Sequence, residues 1–383
     1  MRFFNLCKID APVRTAIKRR LAISMLACTT SCATLPAPLM QNCVPPESSR
    51  IVFSADGTRA STTFDVLTFN IEGLAWPARG GRSGSLAKIS ETLKDMRERG
   101  SAPDVIMVQE MFSRAAVRAV RGLGYPNMVS GPSRTQAKSL PSSGKMFGPY
   151  KWKKGELGIH LVGSGLSILS RYPIVATRSE PFGKRGCAGL DCLSNKGVLY
   201  ARLAIPGVPG IINLFNTNLN SQASSKVAPR RHARAHRLQV EELRAFISAV
   251  GDRNIPTILG GDFNMKGSSV RFERFRNVTE PFEIVQEYCT DNPLSCDVRI
   301  SWDGDEPWMD TQDLQLFESG SQIDVKPVRV EAMFDGSAES PSLSDHDGFR
   351  VTYRLSWSTL SSNASLGQPV PPCSGGLAAQ RSR

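Results

Sequence analysis

Residues 258–265, ILGGDFNM, end an apolar run in two glycines and then place Asp262 and Asn264 on either side of one phenylalanine. In an extended segment, residues i and i+2 share a face. The spacing predicts both side chains projecting together from the end of a buried strand, with Phe263 turned away. Groups held so can grip a phosphate, a metal or an attacking water; the same residue types also make plain turns. Four further segments repeat the pattern: LTFNIEG ends its strand in Asn70, VIMVQE ends in Glu110, LFNTNLN carries Asn216, Asn218 and Asn220, and SLSDHDG carries Asp345 and His346. One such strand end is a turn. Five in one chain predict a single cleft lined by amides and carboxylates.

The chain has four histidines. His232 and His236 lie four apart in RRHARAHRLQVEELRAF and read as a solvated basic helix face. His160 sits in an apolar, strand-like run and reads as structural. His346 alone lies among acidic residues in a loop, where an adjacent carboxylate raises an imidazole's basicity and fixes its tautomer. Hard oxygen ligands with so few histidines favour Mg²⁺ over Zn²⁺.

The elements that must position these residues are legible in the hydrophobic pattern. Strands are predicted at FDVLTFNI, DVIMVQE, GLSILS, GVLYARLAI, IINLFNTNL, TILGGDFN, QIDVKPVRVEAMF and FRVTYRLSW, with helices at SLAKISETLKDMRERG and HRLQVEELRAFISAV. Strand and helix do not alternate strictly. Two facing mixed sheets with helices outside, an α+β four-layered sandwich, satisfy this order better than a doubly wound sheet. The organisation predicted is a leader over residues 1–28, a Pro/Ser/Thr-rich linker over 29–60, one catalytic domain over 61–357 and a disordered tail over 358–383.

With 383 residues, 40% hydrophobic, the chain can bury one large core or two modest ones. No apolar run reaches the roughly 18–20 residues of a membrane span. Lys18-Arg19-Arg20 precede a short apolar run, LAISMLACTTSCA, that has the features of an export signal. Cys28 offers a lipidation site. The net charge is +12; residues 1–27 hold six Lys/Arg against one Asp, which leaves a body of about +7. Such a body suits a polyanion or an anionic membrane surface. Among nine cysteines, the pairs Cys187–Cys192 and Cys289–Cys296 are predicted disulfides, with Cys43–Cys373 as a third. None has zinc-type spacing with partner histidines. Leader and cysteines together predict an exported protein, whether periplasmic, secreted or lipid-anchored.

The segments N…QE…GDFN…SDH, in this order, resemble the endonuclease/exonuclease/phosphatase superfamily, which includes DNase I-like nucleases and neutral sphingomyelinases. The resemblance covers about residues 64–357. It implies a four-layered α/β sandwich and metal-dependent hydrolysis of phosphate esters, with Mg²⁺ as the metal and Mn²⁺ or Ca²⁺ as alternatives. It implies His346 as general base with Asp345 in the same site, Asp262 and Asn264 serving the attack on phosphorus, and Glu110 with Asn70 as metal ligands.

Residues 187–203, CAGLDCLSNKGVLYARL, resemble the D-C-x-x-x-K-G stretch of neutral sphingomyelinases. Lys196 there can place an ammonium on a phosphate oxygen, paired with Asp191. Asn218 departs from the sphingomyelinase pattern, which has histidine at that place; an amide can hydrogen-bond a phosphate oxygen but cannot deliver a proton as an imidazolium does. The implied function is a monomeric, sphingomyelinase- or phospholipase C-like phosphodiesterase with a phospholipid or membrane surface as partner. A secreted metal-dependent endonuclease acting on nucleic acid is the alternative, and a catalytically weak binding protein of the same fold is a third.

Overall fold

A computed structural model of the chain describes residues 49–74, 78–300, 310–337 and 340–360. The predicted leader, Cys28, the pair Cys43–Cys373 and the tail beyond residue 360 lie outside the described residues.

One mixed sheet runs β11 (Asp297–Arg299), β13 (Ile323–Met333), β14 (Gly348–Ser358), β2 (Arg59–Asn70), β3 (Val105–Gln109), β5 (Ser167–Ser170) and β4 (Asn127–Ser130), with β1 (Val52–Phe53) also paired to β2. The second runs β10 (Glu283–Ile284), β12 (Asp313–Glu318), β9 (Thr257–Asp262), β8 (Ile211–Asn218), β7 (Gly197–Ala204) and β6 (Ile174–Pro181). The sheets face each other through β2 and β3 on β9, and β3 on β8. Val66, Met107 and Tyr353 from the first meet Leu199, Leu214 and Ile258 from the second in one core. α1 (Arg82–Glu98) and α2 (Arg114–Arg121) cover the outer face of the first sheet through Leu86, Ile89 and Val120. α3 (Pro229–Val250) and α4 (Ser269–Thr279) cover the second through Val240, Phe246 and Phe275. A short α5 (Val285–Asp291) packs on β12 and β13. These are the four layers predicted.

The burial of β2 shows why. Its first half alternates, with Ala60, Thr62 and Phe64 inward; its last residues are buried on both faces, because α1 and α2 cover the outer side there. The burial between the sheets includes polar groups that hydrogen-bond across it. Gln109 Nε2 donates to Asn216 Oδ1 at 2.8 Å, and Asn216 Nδ2 donates to the carbonyls of Val108 and Ser167 at 3.0 and 2.9 Å. Gln315 Nε2 donates to the carbonyls of Val66 and Phe349. Asn216 thus ties the sheets together, a task distinct from that of its neighbour Asn218.

Two predicted features need correction. Part of the 29–60 linker is folded: Val52 pairs with Ser61 across the β1–β2 hairpin. Its polar residues are turn formers, with Asp56 accepting from Ser54 Oγ and the Thr58 amide. The strands β4, β6, β10, β11 and β12 fall outside the predicted runs, and β12 matters most for the site. The disulfides Cys187–Cys192 and Cys289–Cys296 are both present.

Candidate active site

Strand polarity gathers the site. The parallel pairs β2/β3 and β8/β9 end at one edge of the sandwich, Asn70 beside Gln109 and Asn218 beside Asp262. β12 and β14 run antiparallel to these pairs and begin at the same edge, so Asp313 pairs in register with Asp262, and His346 precedes the strand start beside β2. The double glycine of ILGGDFNM serves β9 here. Gly261 has φ +151°, and a Cβ on it would lie 2.2 Å from the Thr217 carbonyl oxygen, so only glycine lets β9 approach β8 this closely.

His346 is the hub. Its Nδ1 lies 2.5 Å from Asp313 Oδ2, while Nε2 faces the amides of Gln312 and Asn70 at 3.1 and 3.4 Å. Asn70 Nδ2 also donates to Asp262 Oδ2 at 3.0 Å. The carboxylate that orients the imidazole is therefore Asp313, not its sequence neighbour. The Asp345 side chain is 55% exposed, and its Oδ1 lies 3.8 Å from Nε2. Asp313 opens its strand and so stands outside the sequence pattern of polar residues at strand C-terminal ends.

A second group adjoins the first. Lys196 is buried; its Nζ donates to Asn218 Oδ1 and the Leu219 carbonyl, both at 2.9 Å, and pairs with Asp191 Oδ1 at 3.1 Å. Asn264 Nδ2 donates to the same Leu219 carbonyl at 3.0 Å and lies 3.3 Å from Asn218 Oδ1. Two donors on one oxygen fix the orientation of the Asn218 amide, and its Nδ2 is buried without a partner among the described residues. Asn264 does not simply extend β9. It turns into the left-handed region at φ +52°, and its amide donates to Asp262 Oδ1 at 3.0 Å. The turn and the site are one object, and Phe263 is turned away into the helix-side core as predicted.

The α3 histidines are not a solvated face. His236 is buried, and its Nε2 donates to the Phe263 carbonyl at 2.8 Å. His232 Nδ1 meets Arg271, whose guanidinium also holds the carbonyls of Asn220 and Asn264. Together they brace the GDFN turn from behind. Burial, helped by Arg271, pushes the His236 imidazole down to about 3 from its ordinary 6.5. The folded chain thus keeps it neutral while the unfolded chain protonates near the ordinary value. A depressed folded-state value contributes stability above the unfolded pKa, and that contribution falls as pH drops from about 6.5 toward about 3. Urea unfolding at pH 5 should show a loss of about 2 kcal/mol relative to pH 7 from this residue. His236→Gln keeps a donor for Phe263 and should remove that share of the slope; an unchanged slope would overturn the assignment.

The site carries excess negative charge. Burial pushes the carboxyls of Asp262, Asp313 and Glu110 up, and Asp262 is pushed further by Asp313. Burial opposes protonation of His346, but Asp313, Asp262 and Glu110 outweigh it and hold the imidazole well above its ordinary value. Asp262, Asp313 and His346 each present a ligand atom within 4.8 Å of the others, and Asp313 Oδ1 has no hydrogen-bond partner among the described residues. Glu110, left-handed at φ +59° just past β3, has the Asn70 side chain beside it. A divalent cation would relieve such a cluster, and the carboxylates offer it hard oxygens.

The chain belongs to the Endonuclease/Exonuclease/phosphatase family, whose model matches residues 67–312. It is 27% identical over 195 residues to a sphingomyelinase of Dictyostelium discoideum, a match covering 43% of this chain and 37% of that relative's length. Among solved structures, a Staphylococcus aureus beta toxin variant with bound magnesium ions superposes with a TM-score of 0.54 at 15% identity, over 76% of this chain and 99% of that one. Sphingomyelinase C from Streptomyces griseocarneus gives 0.52 at 18% identity, over 76% and 99%. These structural likenesses concern the fold.

Proposed function

We propose that this chain is a divalent-metal-dependent phosphodiesterase that cleaves the headgroup ester of a phospholipid, as a sphingomyelinase does. The observation that carries the reading is the Asp313–His346 pair set beside Asp262, with the buried Lys196 ammonium and the unpartnered Asn218 amide in the adjoining group. In this reading His346 Nε2 takes the proton of the attacking water, and Asp313 holds the ring and stabilises the imidazolium. Asp262, fixed by Asn70, orients that water. A phosphate oxygen is the acceptor that Asn218 Nδ2 lacks, and Lys196 supplies positive charge to the same oxygens. The new bond is water oxygen to phosphorus, and the bond broken joins phosphorus to the lipid alkoxide. Mg²⁺ held by Glu110 and Asn70, or Mn²⁺ or Ca²⁺ in its place, would neutralise phosphoryl and alkoxide oxygens and offset the charge that keeps His346 protonated.

The substrate class rests on the sphingomyelinase relative and on the Asp191–Lys196 stretch, in which the two side chains pair at 3.1 Å. The two disulfides suit an oxidising compartment, in keeping with export. The test sets sphingomyelin vesicles, lysophospholipid and supercoiled plasmid side by side, each with Mg²⁺ and with EDTA. Headgroup release from lipid with Mg²⁺ and none in EDTA is the expected result. Plasmid nicking with the lipids untouched would establish the endonuclease alternative instead.

A further inference from the structure

The long connection from β4 to β5 exposes apolar side chains in numbers that folding does not require. Phe147, Trp152 and Ile159 are 68%, 65% and 62% exposed, and Tyr150, Leu157 and Leu161 are exposed beside them in sequence. Leu190, also exposed, joins them from the 3-10 turn Gly189–Leu193. Large apolar groups left together in water mark a contact surface.

The charge around them has one sign. Lys145, Lys151, Lys153, Lys154 and Lys184 are exposed there. Between residues 133 and 165 the chain has one acidic residue, Glu156, and it is buried in an ion pair with Arg231. Cations also lie over the rings: Arg234 over Phe147 at 4.9 Å, Arg185 over Tyr150 at 5.1 Å and Lys153 over Trp152 at 5.2 Å.

The segment is built onto the site. Glu156 accepts from the amides of Lys151 and Gly189, and Arg231 also donates to the Phe147 carbonyl. Gly155, at φ +95°, lies so close to the 3-10 turn that a Cβ would sit 3.0 Å from Leu190 Cα. The residue after Leu190 is Asp191, which pairs with Lys196. One turn therefore presents an apolar side chain outward and the lysine's counter-ion inward.

We propose that residues 145–161 with Leu190 form a docking surface for an anionic phospholipid bilayer, delivering the headgroup ester to Lys196. The proposal deepens the phospholipase C-like reading and rests on it. Aromatic rings and aliphatic side chains enter the headgroup–acyl boundary while lysines meet anionic headgroups. A single-stranded nucleic acid also uses rings and cations, but it has no use for Leu157, Ile159, Leu161 and Leu190, which offer no face for base stacking.

The full chain is sedimented with phosphatidylcholine vesicles, with and without phosphatidylserine, while a soluble bis(p-nitrophenyl) phosphate assay runs in parallel. Wild type should partition onto the phosphatidylserine vesicles. Trp152→Ala/Ile159→Ser should lower that partition about tenfold or more. Lys153→Ala/Lys154→Ala should lower it by a similar factor on anionic vesicles and hardly at all on neutral ones. Both variants should hydrolyse the soluble ester at the wild-type rate, which also reports that they fold. Wild type left in the supernatant, or variants that partition as wild type does, would overturn the proposal. So would binding of a single-stranded oligonucleotide that the same substitutions abolish while no vesicle is bound. Partition of wild type without hydrolysis of any phosphodiester would instead reject the catalytic reading and leave the surface standing.

Discussion

His346→Ala should lower kcat by at least about 10²-fold, the scale for removing a positioned acid–base group. Three features make the loss large. The imidazole has an orienting carboxylate, Asp313 at 2.5 Å. Its Nε2 faces the Asn70 amide, which also holds Asp262. The other histidines cannot stand in: His236 is spent on the Phe263 carbonyl, His232 faces Arg271 and His160 is bound to the Cys192 carbonyl. Asp313→Asn is the companion variant. It keeps the size of the side chain but removes the charge that favours the imidazolium, so kcat should fall while KM for a soluble ester stays close to wild type. A kcat within threefold or so of wild type for His346→Ala would remove the histidine from the chemistry.

Glu110→Gln should abolish metal activation with the fold intact. The carboxyl is pushed up by burial, and Lys196 and His346 only partly offset this. A cation is thus the partner that favours its charged form, and glutamine keeps the shape while removing the charge. Two readouts separate metal binding from catalysis. Mg²⁺ should raise the unfolding temperature of wild type through preferential binding to the folded state, and the rise should shrink or vanish in the variant. Mg²⁺-dependent kcat should fall by about 10²-fold or more. A variant with the wild-type thermal response to Mg²⁺ would show that the ion is held elsewhere, with Asp262, Asp313 and His346 as the next candidate group.

The layered fold was legible because its strands are short apolar runs that stop abruptly at polar residues, and because β2, β3, β8 and β9 carry site residues at their C-terminal ends. Asp313 was illegible for the complementary reason. β12 is antiparallel to β9, so its contribution comes at its start, where TQD resembles the close of a loop. Pairing register is a tertiary property that a local pattern does not carry. His236 failed differently. Arginines surround it in sequence, yet helical periodicity turns it inward with Leu238, Gln239 and Val240, and only the position of the GDFN turn shows what it holds. The apolar surface of residues 145–161 has no strand or helix period, so its exposure could not be read until the chain was folded around it.

The amide clamp from Gln109 to Asn216 has a consequence for how the site comes into being. Asn70 lies in one sheet, with Glu110 and His346 flanking its strands, while Asn218, Asp262 and Asp313 lie in the other, with Lys196 just before its strand β7. Neither sheet alone holds even the base with its orienting carboxylate. A chain with one sheet formed lacks the contact between His346 and Asp313, so that contact reports the meeting of the two sheets. During synthesis the last piece to arrive is the His346 loop with β14, the strand that closes against β2. Until then the emerging chain lacks the imidazole that Asp313 orients.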